Sequence, residues 1–254
     1  MVYSAVNKLK IRKSSYKFLN SYSSSNLKKM KYTYYGQSCF LLETSSVKLL
    51  FDPFISGNPL AAAIDVSTIE ADYILVSHGH GDHVGDLVDI AKRTRATVIC
   101  MPEIAGWLQK QGVTNIHDMN IGKFKFDFGT VRMVTATHSS SLPDGSYGGN
   151  PAGFVLDVDG IQIYFAGDTG LTLDMKLIAE LYQLEYAILP IGGNYTMDPD
   201  DAVIAAEYVN CPKVIGVHYD SFPVIAIDKD FALETFKRAQ KTLLLPAVGE
   251  TIDL

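Results

Sequence analysis

The stretch His78-Gly79-His80-Gly81-Asp82-His83 packs three imidazoles and a carboxylate into six positions of a chain that has only six histidines. It follows the apolar run YILVS at 73–77 and precedes a helical pattern expected over Val84–Arg93. That order predicts a strand-to-helix turn, where side chains fan out from the end of a sheet. Gly79 and Gly81 are expected to let the backbone bend sharply, so that neighbouring imidazoles converge instead of alternating. Asp82 and His83 then fall at a helix start, where an acidic side chain is electrostatically favoured.

Three other residues repeat the placement. His138 follows the alternating run 130–137, Asp168 follows the run Ile161–Ala166, and His218 follows the run Val214–Val217. Each lies at the C-terminal end of an apolar strand, so residues far apart in sequence can meet at one edge of a sheet. The seven candidate ligands are then His78, His80, Asp82, His83, His138, Asp168 and His218. They exceed what one tetrahedral zinc requires and fit two metal ions with a shared carboxylate. Imidazole and carboxylate donors suit zinc, and also manganese or iron. The remaining histidine, His117, lies in a loop-like stretch (TNIHD, 114–118) and reads as a surface or packing residue.

Working outward, the chain alternates short apolar segments with helical ones. Strands are expected at Lys31–Tyr35, Cys39–Glu43, Val47–Phe51, Tyr73–Ser77, Thr97–Met101, Lys123–Phe128, Thr130–Ala136, Gly153–Val158, Ile161–Ala166, Tyr186–Pro190 and Val214–Val217. Helices are expected at Val84–Arg93, Pro102–Gln111, Leu173–Leu184, Pro199–Val209 and Lys229–Lys241, with Asp198 as N-cap before Pro199. Two halves of similar make-up suggest an α/β fold in which two sheets pack face to face with helices outside.

Composition narrows the function. No apolar run approaches the roughly 18 residues of a membrane span. Cys39, Cys100 and Cys211 are odd in number, widely spaced and without a C-x-x-C pair, which speaks against disulfides and thiolate zinc and fits a cytoplasmic location. Residues 1–29 carry seven Lys or Arg and no acid, so the net charge of −6 becomes −13 for the remainder. A body that acidic is a poor partner for nucleic acid or an anionic membrane surface. Residues 1–29 read as a flexible extension or as sequence upstream of a start at Met30; an organelle-targeting segment or a nucleic-acid arm are the other readings. Residues 30–254 read as one folded domain that carries all seven candidate ligands.

With those residues in place the chain resembles the metallo-β-lactamase superfamily. The segments Tyr35–Phe40, Phe51–Phe54, His138–Ser141, Gly149–Gly153 and Pro190–Met197 are similar to its "metal-dependent hydrolase" branch, which is related to ascorbate-6-phosphate lactonase and N-acyl-phosphatidylethanolamine phospholipase D. The resemblance covers about Met30 to the C-terminus. It implies a four-layer αββα sandwich. It also implies His78, His80 and His138 on one metal, Asp82, His83 and His218 on the other, and Asp168 bridging. Nothing resembles the inserted arm that tRNA-processing relatives use to grip RNA.

The expected chemistry is hydrolysis by water activated between the metals, with Asp82 and Asp168 orienting the nucleophile. Asp52 is read either as a partner for a ligand histidine's second N–H or as a turn former. The loops expected to rim the site, 53–67, 139–152, 192–201 and 219–227, contain no Lys or Arg. That favours a small neutral ester, lactone or amide over a polyanion. A phosphodiesterase and a metal-binding regulatory protein are the alternatives. Asn194, Tyr195, Thr196, Tyr219 and Phe222 are the candidate pocket residues; oligomeric state is not legible.

Overall fold

The computed structural model describes residues 30–254, so the reading of 1–29 as an extension lies outside the described residues. The first sheet is built from β1 (Lys31–Gly36), β2 (Cys39–Glu43), β3 (Lys48–Phe51), β4 (Tyr73–Leu75), β5 (Thr97–Cys100) and β6 (Ile116–Asp118). The second holds β7 (Lys123–Phe126), β8 (Gly129–Thr135), β9 (Ala152–Val158), β10 (Ile161–Phe165), β11 (Tyr186–Pro190), β12 (Lys213–Val217) and β13 (Thr242–Leu244). The last strand, β14 (Thr251–Asp253), crosses back and pairs antiparallel with β1, giving the orders β14-β1-β2-β3-β4-β5-β6 and β13-β12-β11-β10-β9-β8-β7. In both sheets the pairing is antiparallel as far as one mid-sheet strand, β3 or β10, and parallel beyond it.

The period-2 pattern of the second sheet explains its double burial. Phe154, Leu156, Ile163, Phe165, Ile188 and Ile215 point into the core between the sheets. Their neighbours Val155, Tyr164, Ala187, Leu189 and Val214 point the other way, into a second core under the helices. Strands covered on both faces read as near-continuous apolar runs, as these do. Across the sandwich, Phe165 meets Phe40 edge-on at 5.1 Å and Phe51 at 5.6 Å, while Phe40 and Phe51 stack at 4.4 Å. The outer layers are α1 (Gly81–Val84), α2 (Leu87–Thr94) and α3 (Pro102–Lys110) on one side. On the other lie α4 (Met175–Leu181), α5 (Pro199–Tyr208) and α6 (Lys229–Arg238). The αββα sandwich is therefore the fold. Asp198 caps α5 as expected, accepting from the Asp201 N–H at 2.9 Å.

Several elements differ from the sequence expectation. The helix expected over Val84–Arg93 is broken at Gly85–Asp86, because buried Asp86 accepts from the N–H groups of Ile55 (2.6 Å) and Ser56 (3.0 Å) and ties the turn to the loop after β3. The helix expected over Leu173–Leu184 shortens to α4. Strands β6, β13 and β14 have three residues each, too few to display a period in sequence. His117 sits on edge strand β6 and not in a loop, with its ring 4.3 Å from Phe124 and 4.7 Å from Phe126, a packing role. Among the described residues no helix is long and apolar enough to cross a membrane.

Candidate metal centre

The C-terminal ends of five strands deliver the site. β4 runs into Ser77 and His78, β8 toward His138, β10 toward Asp168, β12 into His218, and β3 into Asp52, all at one edge of the sandwich. The turn after β4 brings His80, Asp82 and His83 to the same point. Gly79 and Gly81 do not adopt the left-handed conformation; a Cβ on Gly79 would lie 3.1 Å from Leu142 Cδ2, so room matters there more than bending. The left-handed positions lie elsewhere. Gly167 (φ +62) precedes Asp168, and a Cβ there would come within 2.6 Å of the Ala152 carbonyl oxygen. His218 itself has φ +56, held by donation of its N–H to the Gln37 carbonyl at 2.8 Å. A bulky residue in that region is strained, and such strain persists where surrounding structure enforces a functional geometry.

All seven candidate ligands converge. His78, His80 and His138 bring one ligand atom each within 4.8 Å of one another, and Asp82, His83 and His218 do the same. Asp168 lies between the sets. Its Oδ2 is 2.9 Å from His218 Nε2, 3.2 Å from His83 Nε2, 3.9 Å from His78 Nε2 and 4.0 Å from His138 Nε2. His78 Nε2 and His80 Nδ1 lie 3.0 Å apart, close to the ~3.3 Å edge that metal–nitrogen bonds of about 2.0–2.1 Å give a tetrahedron. A third grouping, Asp52 with His78 and His83, is also compact. Its carboxylate is already used: Asp52 accepts from the Ser77 N–H at 2.7 Å, the Ser77 hydroxyl at 2.6 Å and His83 Nδ1 at 2.8 Å.

The electrostatics separate the two sets. Burial, then His83, pushes His78 well below the ordinary histidine value, and burial, then His138, lowers His80, so both are neutral. In the other set burial opposes charge, but Asp168, Asp82 and Asp52 outweigh it and hold His83 well above its ordinary value. Burial likewise opposes charging His218, yet Asp168 and Asp82 raise it to about 9. Burial works to raise both Asp82 and Asp168, and the facing His83 and His218 overcome it and hold both well below the carboxylate range. Burial dominates for Asp52 and raises it, partly offset by His83 and Ser77.

The donor set fits metal ions. His83 Nε2 and Asp168 Oδ1 are fully buried without an aligned hydrogen-bond partner, a costly condition in a folded chain. The His83 ring is fixed at Nδ1 by Asp52, so Nε2 faces two carboxylates across 3.2 and 3.5 Å. A cation between these groups satisfies all of them.

Residues 48–219 match the family model of the beta-lactamase superfamily domain. The chain is 50% identical over 226 residues to a UPF0173 metal-dependent hydrolase of Flavobacterium johnsoniae, covering 89% of this chain and all of that one. A metal-dependent hydrolase of Methylacidiphilum infernorum is 49% identical over the same shares of the two chains. The chain belongs to the metallo-β-lactamase superfamily. It is a metal-dependent hydrolase. Igni18, a metallo hydrolase from the archaeon Ignicoccus hospitalis, superposes with a TM-score of 0.81 at 34% identity, covering 89% of this hydrolase and 98% of that chain. The isothiocyanate hydrolase from Delia radicum gut bacteria shares the fold, with a TM-score of 0.73 at 21% identity over 88% of this hydrolase and 98% of that chain.

Around the metal centre of this hydrolase lies a cavity of about 730 Å³, to which all four expected rim loops contribute, through Phe54, Ser139, Tyr195, and the pair Phe222 and Val224. Tyr195 and Phe222 therefore line it as expected. Asn194 and Thr196 do not, and Tyr219 is buried against Tyr34, with ring centroids 6.3 Å apart. Sequence reading missed Phe54, Val224, Ser77 and Gln37. Buried Gln37, in the turn between β1 and β2, donates its amide to Asp82 Oδ2 at 2.8 Å. Of the alternatives left open for Asp52, both hold: it turns the chain at φ +40 and it accepts from His83.

Proposed function

We propose that this hydrolase holds two divalent cations, one at His78, His80 and His138 and one at Asp82, His83 and His218, with Asp168 shared. The observation that carries this reading is one carboxylate oxygen of Asp168 lying 2.9 to 4.0 Å from four imidazole nitrogens of both sets. Zinc suits the donors best, and manganese or iron is compatible. When bound, such cations polarise the scissile group and lower the pKa of water, which makes hydrolysis possible near neutral pH.

The protein's own groups do the positioning. Asp52 orients His83, the Ser77 hydroxyl faces His78 Nδ1 at 3.0 Å, and Gln37 fixes one oxygen of Asp82. Both carboxylates line the cavity, and Asp82 is the more exposed, with 26% of its side chain accessible against 2% for Asp168. Asp82 is therefore assigned to orient the attacking water, and Asp168 to the shared position.

The substrate reading is a small neutral ester, lactone or amide. Its support is that, among the described residues, no Lys or Arg lines the cavity, whereas recognition of a phosphate normally adds a cationic donor. The acidic body supports a small molecule as partner over nucleic acid or a membrane surface, and three unpaired buried thiols are compatible with a reducing cytoplasm. Elemental analysis after zinc or manganese loading should give about two ions per chain, and a panel of chromogenic esters, lactones and phosphodiesters should show ester or lactone turnover lost on chelation. A ceiling of one ion refutes the dinuclear reading, and turnover confined to phosphodiesters refutes the substrate reading.

A further inference from the structure

The cavity is asymmetric in chemistry. Its floor is the metal centre, and Ser139 continues the polar surface, its hydroxyl 3.5 Å from His80 Nε2. The remaining lining side chains are Phe54, Tyr195, Phe222 and Val224, contributed by the loops after β3, β11 and β12. Tyr195 and Val224 are 58% and 51% exposed, large values for apolar bodies gathered at one mouth. Clustered exposed apolar side chains beside a polar floor are the usual signature of a ligand surface.

This wall is preformed. The Phe54 ring is boxed by two glycines: a Cβ on Gly57 would lie 2.4 Å from its ring, and one on Gly85 3.0 Å. Phe222 packs at 6.4 Å from Phe54, its ring tilted by 32°. The segment carrying Phe222 and Val224 is pinned by fully buried Ile225, whose carbonyl accepts from the Asp220 N–H at 3.0 Å. Ile225 anchors the loop while Phe222 and Val224 are left to the cavity. Among the described residues no Lys or Arg stands on this wall, so an anionic substituent seated there finds apolar surface and no side-chain cation to pair with.

Resting on the ester, lactone or amide reading above, we propose that the substrate's carbonyl group carries an uncharged apolar substituent, an acyl chain of medium length or an aromatic ring, that packs on Phe54, Phe222, Val224 and Tyr195. These four residues set specificity, and the metal centre below them does the chemistry. A cavity of this size falls in the range of small-molecule sites, so there is room for such a group beyond the scissile bond.

The test uses the metal-loaded full chain and the p-nitrophenyl acetate, butyrate and hexanoate series, counting only the rate lost on chelation. Burial of each added methylene should raise kcat/KM about fourfold. Phe222→Ala and Val224→Asp should lower the hexanoate-to-acetate ratio, whereas Leu177→Ser, an exposed residue of α4 outside the cavity, should leave that ratio unchanged. A flat or falling series, or a ratio that neither wall variant moves, overturns the proposal. If no ester is turned over, the ester reading fails and the wall is judged by fluorescence titration with the neutral probe N-phenyl-1-naphthylamine. Saturable binding weakened by both wall variants supports the proposal; absent binding, or binding weakened only by Leu177→Ser, overturns it.

Discussion

Replacing Asp52 with Asn isolates how a residue outside both ligand sets controls one of them. In the wild type the Asp52 carboxylate accepts three hydrogen bonds: Ser77 N–H at 2.7 Å, the Ser77 hydroxyl at 2.6 Å and His83 Nδ1–H at 2.8 Å. This leaves the His83 Nε2 lone pair for a cation. An Asn of the same shape has one acceptor and one donor face. With its oxygen toward the Ser77 N–H, its NH2 faces His83 Nδ1 and forces the ring proton onto Nε2, the atom 3.2 Å from Asp168. Flipped, it sets donor against donor in a buried site, at about 1–3 kcal/mol. Substitutions of this kind typically weaken metal binding ~10–100-fold, or about 1.4–2.7 kcal/mol. Zinc titration of the metal-free protein against a chromophoric chelator reads this directly. One of the two binding equivalents should weaken by that factor while the one assigned to His78, His80 and His138 moves less, with circular dichroism unchanged. Adding His83→Ala to the variant should cost less than it does in the wild type, because the two residues act as a unit. Two wild-type equivalents in Asp52→Asn, or full additivity with His83→Ala, would falsify the tautomer argument.

Asp168→Asn should weaken both cations and nearly abolish turnover even in excess zinc, because an amide carries no charge and one good donor oxygen; His117→Ala, whose ring packs on Phe124, is the matched control, and two tightly bound ions in Asp168→Asn would remove it from the shared position. Filling the set with His83 and His218 should release protons, measurable by calorimetry in buffers of different ionisation enthalpy, since both imidazoles are raised, His218 to about 9, and must deprotonate to bind. Affinity there should therefore climb with pH at least to about 9, and the metal-free fold should keep the His218 contribution below its ordinary value of 6.5 and lose it as pH rises through about 9. A pH-independent affinity between 6 and 9, roughly the range spanned by those two values, would refute this assignment of charge.

What could be read in the sequence, and what could not, follows from the range of the forces involved. The turn at 78–83 is local: its spacing alone places imidazoles together, and His138, Asp168 and His218 are each marked by the strand that ends beside them. The sandwich was legible for a similar reason, because strands such as β9 and β10, covered on both faces, leave near-continuous apolar runs. The short edge strands β6, β13 and β14 carry no period and exist only because a neighbour offers them an edge. The supporting groups are harder still. Gln37 reaches Asp82 across 45 positions, and its backbone carbonyl also holds His218, so its role depends on three segments meeting. Nothing in a lone Gln after a Gly announces that. Asp52 was legible only as a choice between a turn and a partner, and the structure makes these one fact: the φ of +40 that turns the chain also aims the carboxylate at Ser77 and His83. The same holds at the cavity, where Phe54 could be seen as an aromatic in a rim loop but its wall required Gly57 and Gly85 to close on it. Residues that bind are thus written by local pattern, and residues that aim them are written by tertiary contact. Variants of Gln37 and Asp52 should accordingly alter affinity at the His83 set more than at the His78 set, since their hydrogen bonds to ligands go to the former.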